Sequence, residues 1–268
     1  WRASARLNLQ RYAVGSDVEW SGETLNELSP EWGERVIFLP ECGSTNDEAR
    51  KFAFKGASNF SVILTERQTS GRGRRGQPWV CPPGEGLAFT VIVRPKEVPT
   101  LWSRFALAAG LAISEGLDSF GVSSGVKWPN DVWVGGKKIC GILVEADSSF
   151  VVVGVGLNVN VRAFPNGLVH PATSLALELG EEISREEVLI SCLRRLELRL
   201  AQIGSDFPEL LDAWSARCVL NGNYVRLDVG GVTRTGRVTG VSSQGELLLQ
   251  TATGIEKILQ ANEIRISN

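Results

Sequence analysis

The chain has 268 residues, 43% hydrophobic and 22% charged, with a formal net charge of −2, a balance that suits one large soluble domain with a small one beside it. That slightly acidic total excludes a general nucleic-acid binder, whose positive charge would cover a whole face. One histidine, His170, and five scattered cysteines (Cys42, Cys81, Cys140, Cys192, Cys218) exclude a histidine-rich zinc site, limit any Ser-His-Asp triad to His170, and read as free thiols in a reducing cytosol.

Residues 1–34 read as an N-terminal arm, with an alternating strand pattern at 7–12 and breaks at Ser21-Gly22 and Ser29-Pro30. No signal peptide opens the chain, and no apolar run nears the roughly 20 residues that cross a bilayer. Methionine is absent even at position 1, as in a trimmed or processed chain with residues missing upstream. Residues 35–39 form a predicted strand ending at Pro40. Thr45 and Glu48 then fit a capping box that opens a helix with Ala49, Phe52 and Ala53 turned inward. With Ser44 and Asn46 beside it, that terminus also offers a place for polar or anionic ligand atoms, although a plain cap explains the same residues.

An apolar run at 61–65 leads into Gly71-Arg72-Gly73-Arg74-Arg75-Gly76-Gln77-Pro78-Trp79. Its glycines allow a tight turn and close approach to a ligand. Its guanidinium forks match carboxylate and phosphate oxygens, while a solvated basic loop has the same composition. Residues 86–93 read as a buried strand, and a core helix is predicted from Pro99-Thr100 to about Phe120. Gly135-Gly136 between two apolar runs signals a two-residue hairpin. Alternation along its second strand places Lys138 on the face of Cys140, Ile142 and Val144. There the ammonium either snorkels to water or is held beside an anionic ligand.

Residues 150–155 read as another buried strand. It runs into Gly154-Val155-Gly156-Leu157-Asn158-Val159-Asn160, where glycines suit close approach and asparagines offer amide donors and acceptors. Residues 162–172 read as a mobile loop. Ser184 with Glu187 caps a helix to about Ile203, and a further helix covers 206–217. From Tyr224 onward about five short alternating runs, separated by Gly230-Gly231, Ser243-Gln244-Gly245 and Thr253-Gly254, fit a small barrel.

Taken together, Ser44-Thr45-Asn46, the arginine loop with Trp79, Lys127-Trp128-Pro129-Asn130-Asp131, Lys138 with Gly141-Ile142-Leu143-Val144-Glu145, and Gly156-Leu157-Asn158 resemble the biotin–protein ligases in order and spacing, over about residues 35–268. The resemblance implies an α+β fold. A catalytic domain similar to the class II aminoacyl-tRNA synthetases, with a mixed central sheet flanked by helices, would occupy 35–219. A small Src-homology-3-like β-barrel would occupy 220–268. It also implies a cytoplasmic enzyme, monomer or homodimer, that uses biotin, ATP and Mg²⁺ to form biotinyl-5′-AMP. Biotin would then pass to a lysine of the biotin carboxyl carrier protein, with no nucleic acid or membrane as partner.

Position by position, the resemblance assigns Ser44, Thr45, Asn46, Gln68, Arg72, Gly73, Arg74, Lys138 and Gly141 to biotin. It assigns Arg72, Arg75, Trp79, Lys127, Asn130, Lys138, Asn158 and Arg265 to ATP, with Lys127 and Asn130 facing phosphates or Mg²⁺ and Asn158 the adenine. Lys138 and Arg74 take the catalytic roles, and no side chain is assigned as a metal ligand. Binding of biotin is expected to order residues 70–79. Gln77 departs from the family, many of whose members have another arginine there. Residues 1–34 are too short for the roughly 60-residue winged helix of the family's repressors and lack a basic recognition helix, which points to a ligase without repressor function. A lipoate–protein ligase is the nearest alternative, opposed by the intact Gly-Arg-Gly-Arg-Arg-Gly run. A non-catalytic biotin-responsive regulator is the alternative from another class.

Overall fold

The structure is a computed structural model that describes residues 20, 32, 34–95 and 102–267. The strand expected at 7–12 and the helix start expected at 99–100 lie outside the described residues.

Seven strands form the large sheet in the order β1-β2-β3-β7-β6-β5-β4. They are β1 (Val36–Cys42), β2 (Val62–Gln68), β3 (Gly86–Val93), β4 (Gly125–Lys127), β5 (Asp131–Val134), β6 (Lys137–Ala146) and β7 (Val151–Asn158). β1 and β2 run parallel and every other neighbour is antiparallel, so the sheet is mixed. β3 is buried from Leu87 to Val93. That is why its sequence is an unbroken apolar run instead of an alternation.

Helices cover both faces. α1 (Thr45–Phe54) packs Ala49 and Ala53 with Ile63, Ile92, Phe150 and Val152 on one side. On the other, α2 (Trp102–Asp118) joins α4 (Arg185–Ala201) and α5 (Phe207–Arg217), while α3 (Leu175–Leu179) is a short turn. The helix starts obey local chemistry: the Ser184 hydroxyl accepts from Glu187 N, and the Asp206 carboxylate accepts from Glu209 N. No described helix is long and apolar enough to cross a membrane.

The remaining strands, β8 (Tyr224–Val229), β9 (Val232–Val241), β10 (Leu247–Thr251), β11 (Gly254–Ile258) and β12 (Ile264–Ile266), make an antiparallel five-stranded sheet in the order β11-β10-β9-β8-β12. Its turn at 243–245 docks on the large domain. Trp128 Nε1 donates to Gly245 O at 2.9 Å, Arg104 Nε donates to Ser243 O at 3.0 Å, and Ser103 Oγ donates to Gln244 O. One apolar cluster runs through both sheets.

Two local expectations change. Ser44, not Thr45, is the N-cap of α1, and its side chain makes no capping bond. The Thr45 hydroxyl is taken up instead by Gln68, so no capping box forms. In the hairpin, Gly135 and Gly136 take φ of +55° and +80° as a primed turn requires, but the register then shifts, pairing Val132 with Cys140 and Trp133 with Lys138. Ile139 and Cys140 are consequently both buried, and alternation breaks at this bulge. The Lys138 ammonium therefore lies on the side of Gly141, where an added Cβ would sit 3.1 Å from Nζ, and not on the apolar face of Cys140 and Ile142.

Phe89, fully buried at the centre of β3, tests the packing of the large sheet. Phe89→Ala is expected to destabilise the chain by about 3–5 kcal/mol, seen as a lowered urea midpoint of unfolding.

Candidate active site

A cleft of about 750 Å³ opens between the α1 N-terminus, the centre of the large sheet, the loop 70–80, the loop 164–172 and the segment 261–264 of the small domain. Its floor is polar and tightly bonded. Ser44, Thr45 and Asn46 are all buried. Gln68 Oε1 accepts from Thr45 N at 2.8 Å and from its hydroxyl at 3.2 Å. Asn46 Nδ2 donates to Glu145 Oε2 at 2.7 Å and to Leu143 O at 3.3 Å, and its Oδ1 lies 2.7 Å from Thr90 Oγ1. These bonds fix the amide orientation of both Asn46 and Gln68. Gly154 makes the close approach possible, since a Cβ there would fall 2.2 Å from Asn46 Oδ1.

Over this floor, residues 71–79 form a small hairpin, closed by Trp79 N to Gly71 O (3.0 Å) and Gly73 N to Gln77 O (2.7 Å). Its tip is the 3₁₀ turn Arg74–Gly76, in which Arg75 takes φ +57°. A left-handed non-glycine residue costs on the order of 1–2 kcal/mol. The Trp79 indole lies against Gly156, where a Cβ would come within 2.4 Å of the ring. Both feet of this flap meet at Glu66, whose buried carboxylate accepts from Arg185 Nη1 at 2.9 and 3.1 Å, from Trp20 Nε1 at 3.0 Å and from Gly84 N.

The flap arginines differ in their surroundings. Arg72 holds Asp47 through two 2.8 Å bonds and Glu145 through two of 3.1 Å. Its hydrogen bonds depress the Asp47 carboxyl and raise the Arg72 guanidinium. The Arg74 guanidinium bonds only the Asn130 amide oxygen among the described residues, at 3.4 Å, and burial, with Arg75 alongside, lowers its pKa. Among the described residues no carboxylate lies within 4.0 Å of the charged group of Arg74, Arg75 or Lys127.

Two lysines complete the positive wall. Lys138 Nζ lies 2.7 Å from Asp131 Oδ1. Lys127, 6% exposed, places its Nζ 3.9 Å from the Trp133 ring centroid. Burial drops the Lys127 pKa to about 8, with Asp131 opposing. His170 packs edge-on to Trp133, and burial, followed by the Lys127 charge, holds its pKa below the ordinary value.

Ser44, Thr45, Asn46, Gln68, Arg72, Gly73, Arg74, Arg75, Trp79, Lys127, Asn130, Lys138, Gly141 and Asn158 thus line one cleft. Arg265 does not. It sits on β12, where its side chain is exposed, pairs with Glu263 at 2.7 Å and borders the neighbouring cavity. Asn158 turns its amide to Thr173 O at 3.0 Å. Sequence reasoning gave no site role to Thr90, Glu145, Asp47, Asp131 or Glu66, although Asp131 and Glu145 stand inside the motifs quoted above. Thr90 had a visible signal, being the one polar residue in the run of β3. Nothing in the sequence tells which cation each acidic residue meets, because tertiary contact alone brings them together. What the cleft offers is a rigid hydrogen-bonding floor under a wall of cations, suited to a ligand with a neutral polar end and anionic groups.

Residues 41–161 match the family model described as Biotin/lipoate A/B protein ligase family, and residues 222–264 match that of the Biotin protein ligase C terminal domain. The chain is 37% identical to the biotin–[acetyl-CoA-carboxylase] ligase of Mycobacterium tuberculosis, over 84% of this chain and 86% of that one. It is 31% identical to the bifunctional ligase/repressor BirA of Bacillus spizizenii, over 86% and 74%. The fold matches the biotin protein ligase from Aquifex aeolicus in complex with biotin and ATP with a TM-score of 0.78 and 33% identity, over 87% of this chain and all of that one.

The Glu66 junction predicts its own sensitivity. Both partners of the Arg185–Glu66 pair are nearly buried, with side chains 12% and 8% exposed. Glu66→Ala leaves the guanidinium uncompensated and is expected to cost about 3–5 kcal/mol in a chemical unfolding titration.

Proposed function

Because this chain belongs to the biotin/lipoate A/B protein ligase family, we propose that it is an ATP-dependent biotin–protein ligase working in the cleft just described. The observation that carries this reading is the meeting of the Ser44–Asn46 floor, the arginine flap and the Lys127–Lys138 wall in one space. The neutral ureido ring of biotin would lie on the floor, against the Ser44 and Thr45 hydroxyls and the Gln68 amide. Its carboxylate would point toward Lys138, Arg74 and the nucleotide, with Arg75, Lys127 and Asn130 at the phosphates.

In the first step a biotin carboxylate oxygen attacks the α-phosphorus of ATP, the bond to the β-phosphate oxygen breaks, and pyrophosphate leaves. In the second, a lysine amine of the biotin carboxyl carrier protein attacks the activated carbonyl and loses a proton as AMP departs. The physical obstacle is the first approach: two unit negative charges at ~4 Å repel by about 4 kcal/mol at an effective dielectric of 20. Lys138 and Arg74 counter that repulsion and the charge that builds on the leaving group. Neither step needs an imidazole base.

A magnesium ion carried by the phosphates would find oxygen donors at this wall. Asp131 brings a carboxylate into the wall, its Oδ1 paired with Lys138 Nζ at 2.7 Å, and the Asn130 amide oxygen is adjacent in sequence. Hard oxygen donors of this kind suit Mg²⁺, which keeps few protein ligands when it rides on phosphates. Among the described residues no group of three or more acidic, histidine or cysteine side chains could hold a metal, so the phosphates would carry most of the coordination. Bound there, Mg²⁺ would neutralise charge on the triphosphate.

Biotin-dependent exchange of labelled pyrophosphate into ATP is the deciding measurement. Lipoate should not replace biotin, and exchange that is absent, or supported by lipoate alone, overturns the reading. Lys138→Gln is expected to lower the exchange rate by roughly 10²–10³-fold.

Lys127 supplies a proton-linked check. With a pKa of about 8 it is partly neutral at pH 8–8.5, and a nearby triphosphate favours its charged form. Nucleotide binding should therefore take up a fraction of a proton, measurable by calorimetry in buffers of different ionisation enthalpy and absent in Lys127→Met. The sign for folding is the reverse of a salt-bridged lysine. The folded chain binds fewer protons than the unfolded one between about pH 8 and 10.5, so Lys127 destabilises below that window and the deficit shrinks as pH rises through it.

A further inference from the structure

We propose that Arg72, Asp47 and Glu145 form a latch that holds the flap down on the biotin pocket, making the Arg72 guanidinium a positioning group and not the partner of an anionic ligand group. This rests on the ligase reading. The guanidinium fork meets the Asp47 carboxylate end-on, Nη1 to Oδ2 and Nη2 to Oδ1, both at 2.8 Å. This is the geometry in which arginine binds a carboxylate most strongly. Nη2 also lies 3.1 Å from both Glu145 oxygens. Two carboxylates around one guanidinium leave a local charge of about −1, which repels a carboxylate or phosphate instead of receiving it. The anionic parts of the ligands are left to Arg74, Arg75, Lys127 and Lys138, none of which shares this arrangement.

The latch also reaches the floor. Glu145 Oε2, facing Arg72, accepts the 2.7 Å bond from Asn46 Nδ2, and Asp47 is the next residue along α1. One carboxylate thus joins the flap cation to the amide that lines the pocket, so closing the flap and setting the pocket are a single event. The Arg67–Glu41 pair nearby, with side chains 61% and 52% exposed, has no such link and is an ordinary surface pair.

A double-mutant cycle of Arg72→Gln and Asp47→Asn in the full chain tests this, with biotin-dependent pyrophosphate exchange as one readout. Each single variant should raise the KM for biotin about three- to tenfold with kcat nearly unchanged, the double variant should match the singles, and Asp47→Glu should restore much of the loss. A fall in kcat of roughly a hundredfold in Arg72→Gln alone, or effects that multiply in the double variant, would mean that Arg72 touches the ligands and would overturn the latch. The second readout needs no activity: trypsin cleavage after Arg74 and Arg75 without added biotin, located by mass spectrometry. Cleavage should be faster in Asp47→Asn and Glu145→Gln than in the wild-type chain, and an equal rate overturns the latch. If wild-type protein shows no exchange, the ligase reading fails by itself and the trypsin comparison still judges the latch.

Discussion

Keeping several like charges together in a half-buried space is the constraint around which this molecule is arranged. Arg74, Arg75, Lys127 and Lys138 share one cleft in a chain of net charge −2. The carboxylates that would neutralise them are placed elsewhere: Asp47 and Glu145 on Arg72, Glu66 on Arg185, Glu115 on Arg199. Of the acids that line the cleft, Asp131 stands against Lys138 while Glu263 is paired with Arg265. Burial first, and the neighbouring cations after it, depress the pKa values of Arg74 and Lys127. Unmet positive charge of this kind is what a triphosphate and a carboxylate can relieve together.

Backbone chemistry supplies the frame. β3, β7 and β6 stand side by side in the sheet and present Thr90, Gly154, Gly156 and Glu145 toward α1 and the flap. Two of those positions are glycine because side chains from other elements occupy the volume of a Cβ: Asn46 at Gly154 and Trp79 at Gly156. The pocket is in this sense cut into the middle of the sheet.

Local chemistry made much of this legible beforehand. The apolar runs of β3 and β7, the Ser184 cap, the Gly135-Gly136 turn and the short strands after Tyr224 follow from neighbours in sequence. So did most of the residues lining the cleft, because glycines and arginines in a fixed order carry a resemblance that single residues do not. What escaped depends on distant contacts. Thr45 fits a capping box with Glu48, yet Gln68 from another strand claims its hydroxyl. Strict alternation put Lys138 on the core face, and a bulge at Ile139 reversed it. Arg72 looked like the other arginines until two carboxylates from α1 and β6 were seen around it. Arg265 was carried over by likeness alone, and its strand directs it outward.

The seam between the two sheets has a consequence for how the domains are inherited. Trp128 roots the turn that carries Asn130 and Asp131, and its indole N–H ends on a carbonyl of the small domain, at Gly245. That glycine has φ +82° and no room for a side chain beside Ser103. The C-terminal module is therefore a splint for the Asn130–Asp131 end of the cleft. A swap between relatives that moved it without its 243–245 corner would unseat the very turn it is there to brace.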